Sequence, residues 1–250
     1  MPQSTRDISW LTARPIAHRG LHDRDRGVIE NTASAFAAAI DGNYAIECDL
    51  QLTRDGEAVV FHDEVLDRLT TSTGWVKDLT VPQMKALAIR GSSDHVQTLT
   101  ELLSQVAGRV PLVIEIKTHW DGDERLTLKA IDVLRTYQGP YCIMSFDPDV
   151  LRTLHRHAPE ILRGFVADGG FDDYYDMLPL ARRQELRTFS HMPQSRPDFI
   201  SYRYDALPWA PVKAFRDAGN PVITWTIRTP QQEAMARRHS DQVTFERYRA

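Results

Sequence analysis

Short apolar runs that alternate with helical segments constrain this 250-residue chain more than any other feature. Eight runs read as strands. They lie at Ile16-Ala17, from Ala45 to about Leu50, at Ala58–Phe61, Leu112–Lys117, Tyr141–Phe146, Leu162–Ala167, Phe199–Tyr202 and Val222–Ile227. Most are followed by a helix signature. Asn31 or Thr32 can cap a helix that carries Phe36 and Ile40 four apart and stops at Asp41-Gly42-Asn43. Thr98 and Glu101 form a capping box. Leu126, Ala130, Val133, Leu134 and Tyr137 make one apolar stripe, and Asp147-Pro148 starts the next helix. Strand–helix alternation implies a parallel sheet with helical crossovers. Eight units in 250 residues fit a closed α/β barrel of the TIM (β/α)8 type. The glycine-rich phosphate loop of an open dinucleotide fold is missing after the first run. No repeat or linker divides the chain, so residues 1–250 read as one domain with residues 1–13 as an N-terminal extension.

One connection fits poorly. Asp55-Gly56, between the second and third runs, has the sequence of a hairpin turn. Parallel strands need a long crossover, and Leu52–Glu57 is too short for a helix. If all eight runs are barrel strands, this connection is irregular and helix-free. No long insertion follows, so a large cap domain is not expected.

Composition narrows the partners. Net charge is −4, which gives no bulk attraction to nucleic acid or to an anionic membrane. No stretch has the length and apolarity of a membrane span, and the N-terminus lacks the apolar core of a signal peptide. A cytoplasmic location is the expectation. Cys48 and Cys142 sit in apolar runs and read as buried free thiols.

Polar residues collect at strand ends, where a barrel carries its active site. The first run delivers His18 and Arg19. Glu47 and Asp49 stand two apart on the second, so both point to one face. The third delivers His62, and the fourth Glu115 and Lys117, again two apart. Ser145 and Trp225 stand on later runs. Singly, each has an ordinary reading as a surface charge, a core histidine, a structural ion pair or a core aromatic. Together, Glu47, Asp49 and Glu115 offer the oxygen ligands that suit a hard divalent cation, Mg²⁺ or Ca²⁺. Zinc spacings are absent from these sites. His18 and His62 remain for proton transfer, one as base and one as acid. Arg19 and Lys117 supply positive charge for an anionic substrate. This set describes phosphodiester cleavage.

These residues fall in motifs. His18-Arg19-Gly20, Glu30-Asn31-Thr32, Glu47-Cys48-Asp49, Val59-Val60-Phe61-His62-Asp63, Leu66-Asp67-Arg68-Leu69-Thr70 and Glu115-Ile116-Lys117 occur in this order, with Ser145-Phe146 and Trp225-Thr226 further on. The pattern resembles the glycerophosphodiester phosphodiesterases and is densest from Pro15 to Lys117. The resemblance implies a TIM barrel that uses Mg²⁺ or Ca²⁺ to hydrolyse small glycerophosphodiesters to sn-glycerol 3-phosphate and an alcohol. It implies Glu47, Asp49 and Glu115 as metal ligands, His18 and His62 as the acid/base pair, and Arg19 and Lys117 as phosphate contacts. Trp225 would touch substrate, and Glu30 would sit just behind the site. Water can attack phosphorus directly, or the neighbouring glycerol hydroxyl can attack first to give a cyclic phosphate.

Two positions depart from the family pattern. Arg228 follows Trp225-Thr226-Ile227 where Asn is frequent, and Thr244-Phe245-Glu246-Arg247 replaces a Thr-Asp-x-Pro pattern. Both follow the last run, so they are expected to affect the substrate pocket and not the metal or the histidines. Two other readings keep the same residues. One is a lysophospholipase D-like or cyclic-diester hydrolase, for which Tyr202, Tyr204, Leu207 and Trp209 could form part of an apolar rim, although core or loop packing is the plainer reading of these four. The other is a non-catalytic barrel that binds glycerophosphate.

Overall fold

The computed structural model describes residues 7–170 and 173–250. Nine strands form one sheet: β1 (Ile16–Ala17), β2 (Ala45–Leu52), β3 (Ala58–Val60), β4 (Leu112–Ile116), β5 (Tyr141–Ser145), β6 (Arg163–Ala167), β7 (Phe199–Arg203), β8 (Val222–Ile227) and β9 (Gln242–Phe245). All but β3 run parallel, and β1 pairs with both β2 and β9, which closes the sheet as a TIM barrel. The helices are α1 (Ala33–Asp41), α2 (Val81–Lys85), α3 (Leu99–Val106), α4 (Arg125–Leu134), α5 (Pro148–His157), α6 (Leu180–Thr188), α7 (Met192–Ser195), α8 (Ala210–Asp217) and α9 (Pro230–Ala236).

The period of two along each strand sorts side chains between two environments. On β2, Ile46, Cys48 and Leu50 join the apolar layer under the helices, whereas Ala45 packs inside the barrel. Glu47 and Asp49 share the inward parity of Ala45 and are buried. On β4, Leu112, Ile114 and Ile116 face the helices and Val113 faces inward, so Glu115 points into the barrel too. Ile16, Ala45, Val113, Cys142, Phe199 and Ile223 fill the interior at the strand starts. Leu11, from a 3-10 turn at Ser9–Leu11, seals that end. Apolar packing thus occupies one end of the barrel and leaves the other for polar side chains. Cys48 and Cys142 are buried free thiols, as expected.

Two strand assignments change. The run Ala58–Phe61 is not a barrel strand. Its β3 pairs antiparallel with β2, with Leu50 opposite Val60 and Leu52 opposite Ala58. Gly56, at φ +80°, closes the turn, with Thr53 N–H donating to Glu57 O at 2.9 Å. Asp55-Gly56 is therefore the hairpin that its sequence suggests, and no crossover is needed there. The missing eighth barrel strand is β9, four residues long, between β8 and β1. The excursion from β3 to residue 97 has its own small core, in which Val59, Phe61, Leu66, Val76, Met84, Ile89 and Val96 pack with Ile29.

Helix starts agree with the sequence at Thr98, whose hydroxyl accepts from Glu101 N–H, and at Asp147, which accepts from Asp149 N–H at 3.0 Å. Thr32 precedes α1 without a side-chain cap, and Asp94 instead accepts from Ser34 N–H at 3.2 Å. The sequence also reads as holding a helix in the run from Phe171 to Arg187; its first two residues, Phe171-Asp172, lie outside the described residues, as do residues 1–6 of the N-terminal extension. Tyr202 and Trp209 stack on each other at 5.7 Å and pack with Phe189, which makes them core and not rim. Among the described residues no helix is long and apolar enough to cross a membrane.

Candidate active site

The C-terminal rim of the barrel gathers the residues singled out in the sequence. Glu47, Asp49 and Glu115 are all buried, with ligand oxygens within 4.8 Å of one another. At that separation two carboxylate charges repel by about 3 kcal/mol at an effective dielectric near 20. The consequence is visible at Glu47. Burial, then the charges of Asp49 and Glu115, push its carboxyl well above the usual carboxylate range. Asp49 goes the other way. Burial opposes its ionisation, but Lys117, His62 and Arg19 hold it well below its ordinary value. Lys117 Nζ lies 2.8 Å from Asp49 Oδ1 and also bonds Glu115. Both neighbours raise the lysine pKa against the opposing effect of burial.

Arg19 is positioned by its backbone. It stands at φ +55°, which turns its N–H onto Glu47 Oε2 at 2.9 Å. Gly20 follows at φ +80°, and a Cβ there would meet Ala35 at 2.9 Å. Only glycine fits that place, which explains the third residue of His18-Arg19-Gly20. The Arg19 guanidinium bonds Glu30 at 2.6 Å. Its buried Nε lies 3.3 Å from Asp49 Oδ2 and makes no aligned hydrogen bond.

The two histidines each hold a carboxylate at Nδ1. His18 Nδ1 is 2.8 Å from Glu246 Oε2, and its Nε2 is 4.0 Å from Glu47. Burial lowers the His18 pKa to about 4, although the Glu246 hydrogen bond opposes that shift. His62 Nδ1 is 2.7 Å from Asp63 Oδ1. Arg68 forks onto Asp63, at 2.6 Å and 3.0 Å, and onto Glu30, at 2.8 Å for both oxygens. One chain of charged contacts thus runs from His62 through Asp63, Arg68 and Glu30 to Arg19. Glu30 is where it was expected, behind the site, and its pKa falls to about 2: burial opposes the shift, and Arg68 and Arg19 overcome it.

A cavity of about 370 Å³ opens beside the carboxylates, lined by His62, Glu115, Lys117, Phe146, Trp120 and Tyr175 among others. Trp225 stands near this end of the barrel. Its indole N–H donates to Ser201 O at 3.1 Å, and its ring meets Phe146 edge-on at 5.6 Å. Ser145 is committed to the backbone, since its hydroxyl donates to Ile116 O at 2.8 Å.

The expectation for Arg228 and Glu246 fails. They bear on His18 directly, because Glu246 immediately follows β9, whose Phe245 pairs with Ala17 of β1. Arg228 Nε bonds Glu246 Oε1 at 2.7 Å, so the two departures from the family pattern pair with each other. Burial opposes ionisation of Glu246, yet the hydrogen bond from His18, with His22 at 3.5 Å and Arg228 nearby, holds its carboxyl far below the usual range. Asn31 was also overlooked. Its buried side chain, on a backbone at φ +56°, donates to Asp49 Oδ2 at 2.9 Å. The Glu30-Asn31-Thr32 motif could have revealed it, had the helix-cap reading of Asn31 not taken precedence. Asp63 and Arg68 likewise lay inside quoted motifs without a role.

Two groups of side chains could hold a metal ion among the described residues: Glu47, Asp49 and Glu115, and His18, His22 and Glu246. In the second, Glu246 already carries Arg228 at 2.7 Å and Arg247 at 3.5 Å. The first has three buried carboxylates and one of them forced toward neutrality. Its donor set fits a hard divalent cation.

A model of the glycerophosphoryl diester phosphodiesterase family matches residues 18–245. The chain belongs to that family. A glycerophosphodiester phosphodiesterase of Caldanaerobacter subterraneus is 35% identical over 185 residues, which cover 70% of this chain and 74% of that protein. Among solved structures, a phosphodiesterase of Oleispira antarctica in complex with the product sn-glycerol-3-phosphate superposes with a TM-score of 0.77 at 21% identity, over 94% of this chain and 92% of that one. A glycerophosphodiester phosphodiesterase of Thermotoga maritima gives a TM-score of 0.71 at 25% identity, over 92% of each chain. As a member of this family the chain is a phosphodiesterase, and the family match starts at His18 itself.

Proposed function

We propose that this protein hydrolyses small glycerophosphodiesters to sn-glycerol 3-phosphate and an alcohol, with a divalent cation and a histidine pair. The observation that carries the reading is the convergence of three buried carboxylates, two cations and two carboxylate-held histidines on one rim. Glu47, Asp49 and Glu115 would hold the cation, Mg²⁺ or Ca²⁺, which when bound would neutralise charge on the phosphoryl oxygens.

This chain's residues supply the rest. Arg19 and Lys117 bind the anionic oxygens of the diester and hold phosphorus between the histidines. A neutral imidazole whose Nδ1–H is held by a carboxylate presents a free Nε2 lone pair. His18 has that form at neutral pH, since its pKa lies near 4. It takes a proton from the attacking hydroxyl or water at Nε2. His62, oriented by Asp63, gives a proton to the departing alcohol oxygen. The cavity beside His62 and Lys117, with aromatic faces from Phe146, Trp120 and Tyr175, accommodates the glycerol.

The test is a panel of glycerophosphodiesters and lysophospholipids, assayed with chelator and with added Mg²⁺ or Ca²⁺. Glycerol 3-phosphate release that stops with chelator and returns with metal is the expected result. Chelator-resistant turnover would remove the metal from the proposal, and Asp49→Ala should lose both turnover and the metal response. No release from any diester would leave only a glycerophosphate-binding barrel.

A further inference from the structure

A second and larger cavity, about 860 Å³, shares no lining residue with the first. Its wall includes Glu30 and Arg68, which tie it to Arg19 and to Asp63, and Arg247, which lies 3.5 Å from Glu246. Six arginines line it: Arg24, Arg26, Arg68, Arg90, Arg247 and Arg249. They outnumber its three carboxylates, Asp23, Asp25 and Glu30, on a chain whose net charge is −4. Positive charge is thus concentrated in one concave place, where low-dielectric walls focus the field.

The arginines come from four separate segments, and each segment is fixed. Arg24 and Arg26 ride a 3-10 turn that Asp23 and Val28 close with two backbone hydrogen bonds of 2.8 Å and 3.0 Å. Arg68 belongs to the excursion core segment, and Arg90 is anchored by its N–H on Leu69 O at 2.8 Å. Arg247 and Arg249 flank Tyr248, whose hydroxyl bonds Glu233 at 2.9 Å, and Tyr44 holds Ala250 O at 3.1 Å. Glu30 is consumed by Arg19 and Arg68. Arg24, Arg90 and Arg249 have no ion pair among the described residues. All three are exposed side chains on the wall of one cavity, where each can fork onto anionic oxygens.

The location says which part of a substrate would lie there. The scissile phosphate belongs at Arg19 and the carboxylates, and the 370 Å³ cavity beside Lys117 is sufficient for glycerol. The larger cavity, whose wall residue Arg68 bonds the Asp63 that holds His62, then receives the alcohol with the proposed acid at its border. We infer that this cavity is a subsite for a second phosphate carried on the alcohol moiety, so that the preferred substrates are glycerophosphodiesters with a phosphorylated head group. This inference rests on the function proposed above and specifies its substrate class.

The experiment compares kcat/KM for three soluble diesters, glycerophosphocholine, glycerophosphoinositol and glycerophosphoinositol phosphate. The expected result is a preference of about tenfold or more for the phosphorylated diester over the unphosphorylated inositol diester, shrinking as salt rises toward 0.3 M. The triple variant Arg24→Glu, Arg90→Glu, Arg249→Glu abolishes that preference, whereas Lys at all three positions retains most of it. Equal rates for the two inositol diesters, or a preference that survives the glutamate variant, overturn the subsite and leave the diesterase reading intact. Turnover of none of the three, with Mg²⁺ or Ca²⁺ supplied, overturns both.

Discussion

His18 and His62 have the same partner chemistry in opposite surroundings. Each gives Nδ1 to a carboxylate at 2.7–2.8 Å. His18 stands inside the barrel wall, with 14% of its side chain exposed, and burial outweighs the help of Glu246. His62 is 30% exposed and rides an excursion outside the cylinder of parallel strands. A carboxylate fixes tautomer and orientation in both, while at His18 burial lowers the pKa and favours the neutral ring. On the function proposed above, the lowered pKa of the buried histidine suits it to the base and leaves the more exposed one as the acid.

The sharpest test of this assignment uses the leaving group. On a diester of an ordinary alcohol, His18→Ala and His62→Ala should each lose about 10²–10⁴-fold in kcat. On a nitrophenyl diester, whose leaving group needs no proton, His62→Ala should recover most of its loss and His18→Ala none. The reverse pattern would exchange the two roles. A smaller effect separates the carboxylates. An amide at Glu246 or Asp63 holds the wrong tautomer of its histidine. We expect about 10²-fold loss in kcat for Glu246→Gln and about tenfold for Asp63→Asn, because solvent can reorient the more exposed ring. Equal losses would mean that burial does not matter to orientation.

The smallest effect is in pH. A base with its pKa lowered to about 4 is deprotonated above that value, so activity should persist as pH falls through 6.5 and decline only near 4. The kcat/KM profile reads this in the free enzyme. An acid limb near 6.5 would show an ordinary solvated histidine in the role of base.

Most of the barrel was legible because strand parity and helix caps are local signals. The inward carboxylates of β2 and β4 follow from period two alone, as does their meeting at one rim. What escaped was non-local or short. β9 is Gln242–Phe245, four residues with polar Gln242 and Thr244 among them, and it has no apolar run to announce it. With one strand unseen, Ala58–Phe61 took its place in the count and the plain hairpin at Asp55-Gly56 was read as a crossover. The same omission hid Glu246, since a residue after the last recognised strand has no assigned neighbour. Asn31 was hidden differently, because asparagine before a helix has a ready local explanation that competes with a distant partner.

The bond between His18 and Glu246 spans 228 positions of the sequence. Loop-closure entropy makes such a contact late to form, after the nearer pairings are in place. A chain folded only through β8 can assemble its three carboxylates, since these depend on β2 and β4, yet it would lack an oriented base. Catalytic competence therefore reports on completion of the cylinder. With the roles proposed above, the seam where the first and last barrel strands meet is also where the base is oriented, so a chain lacking β9 is expected to keep its carboxylate cluster and lose turnover.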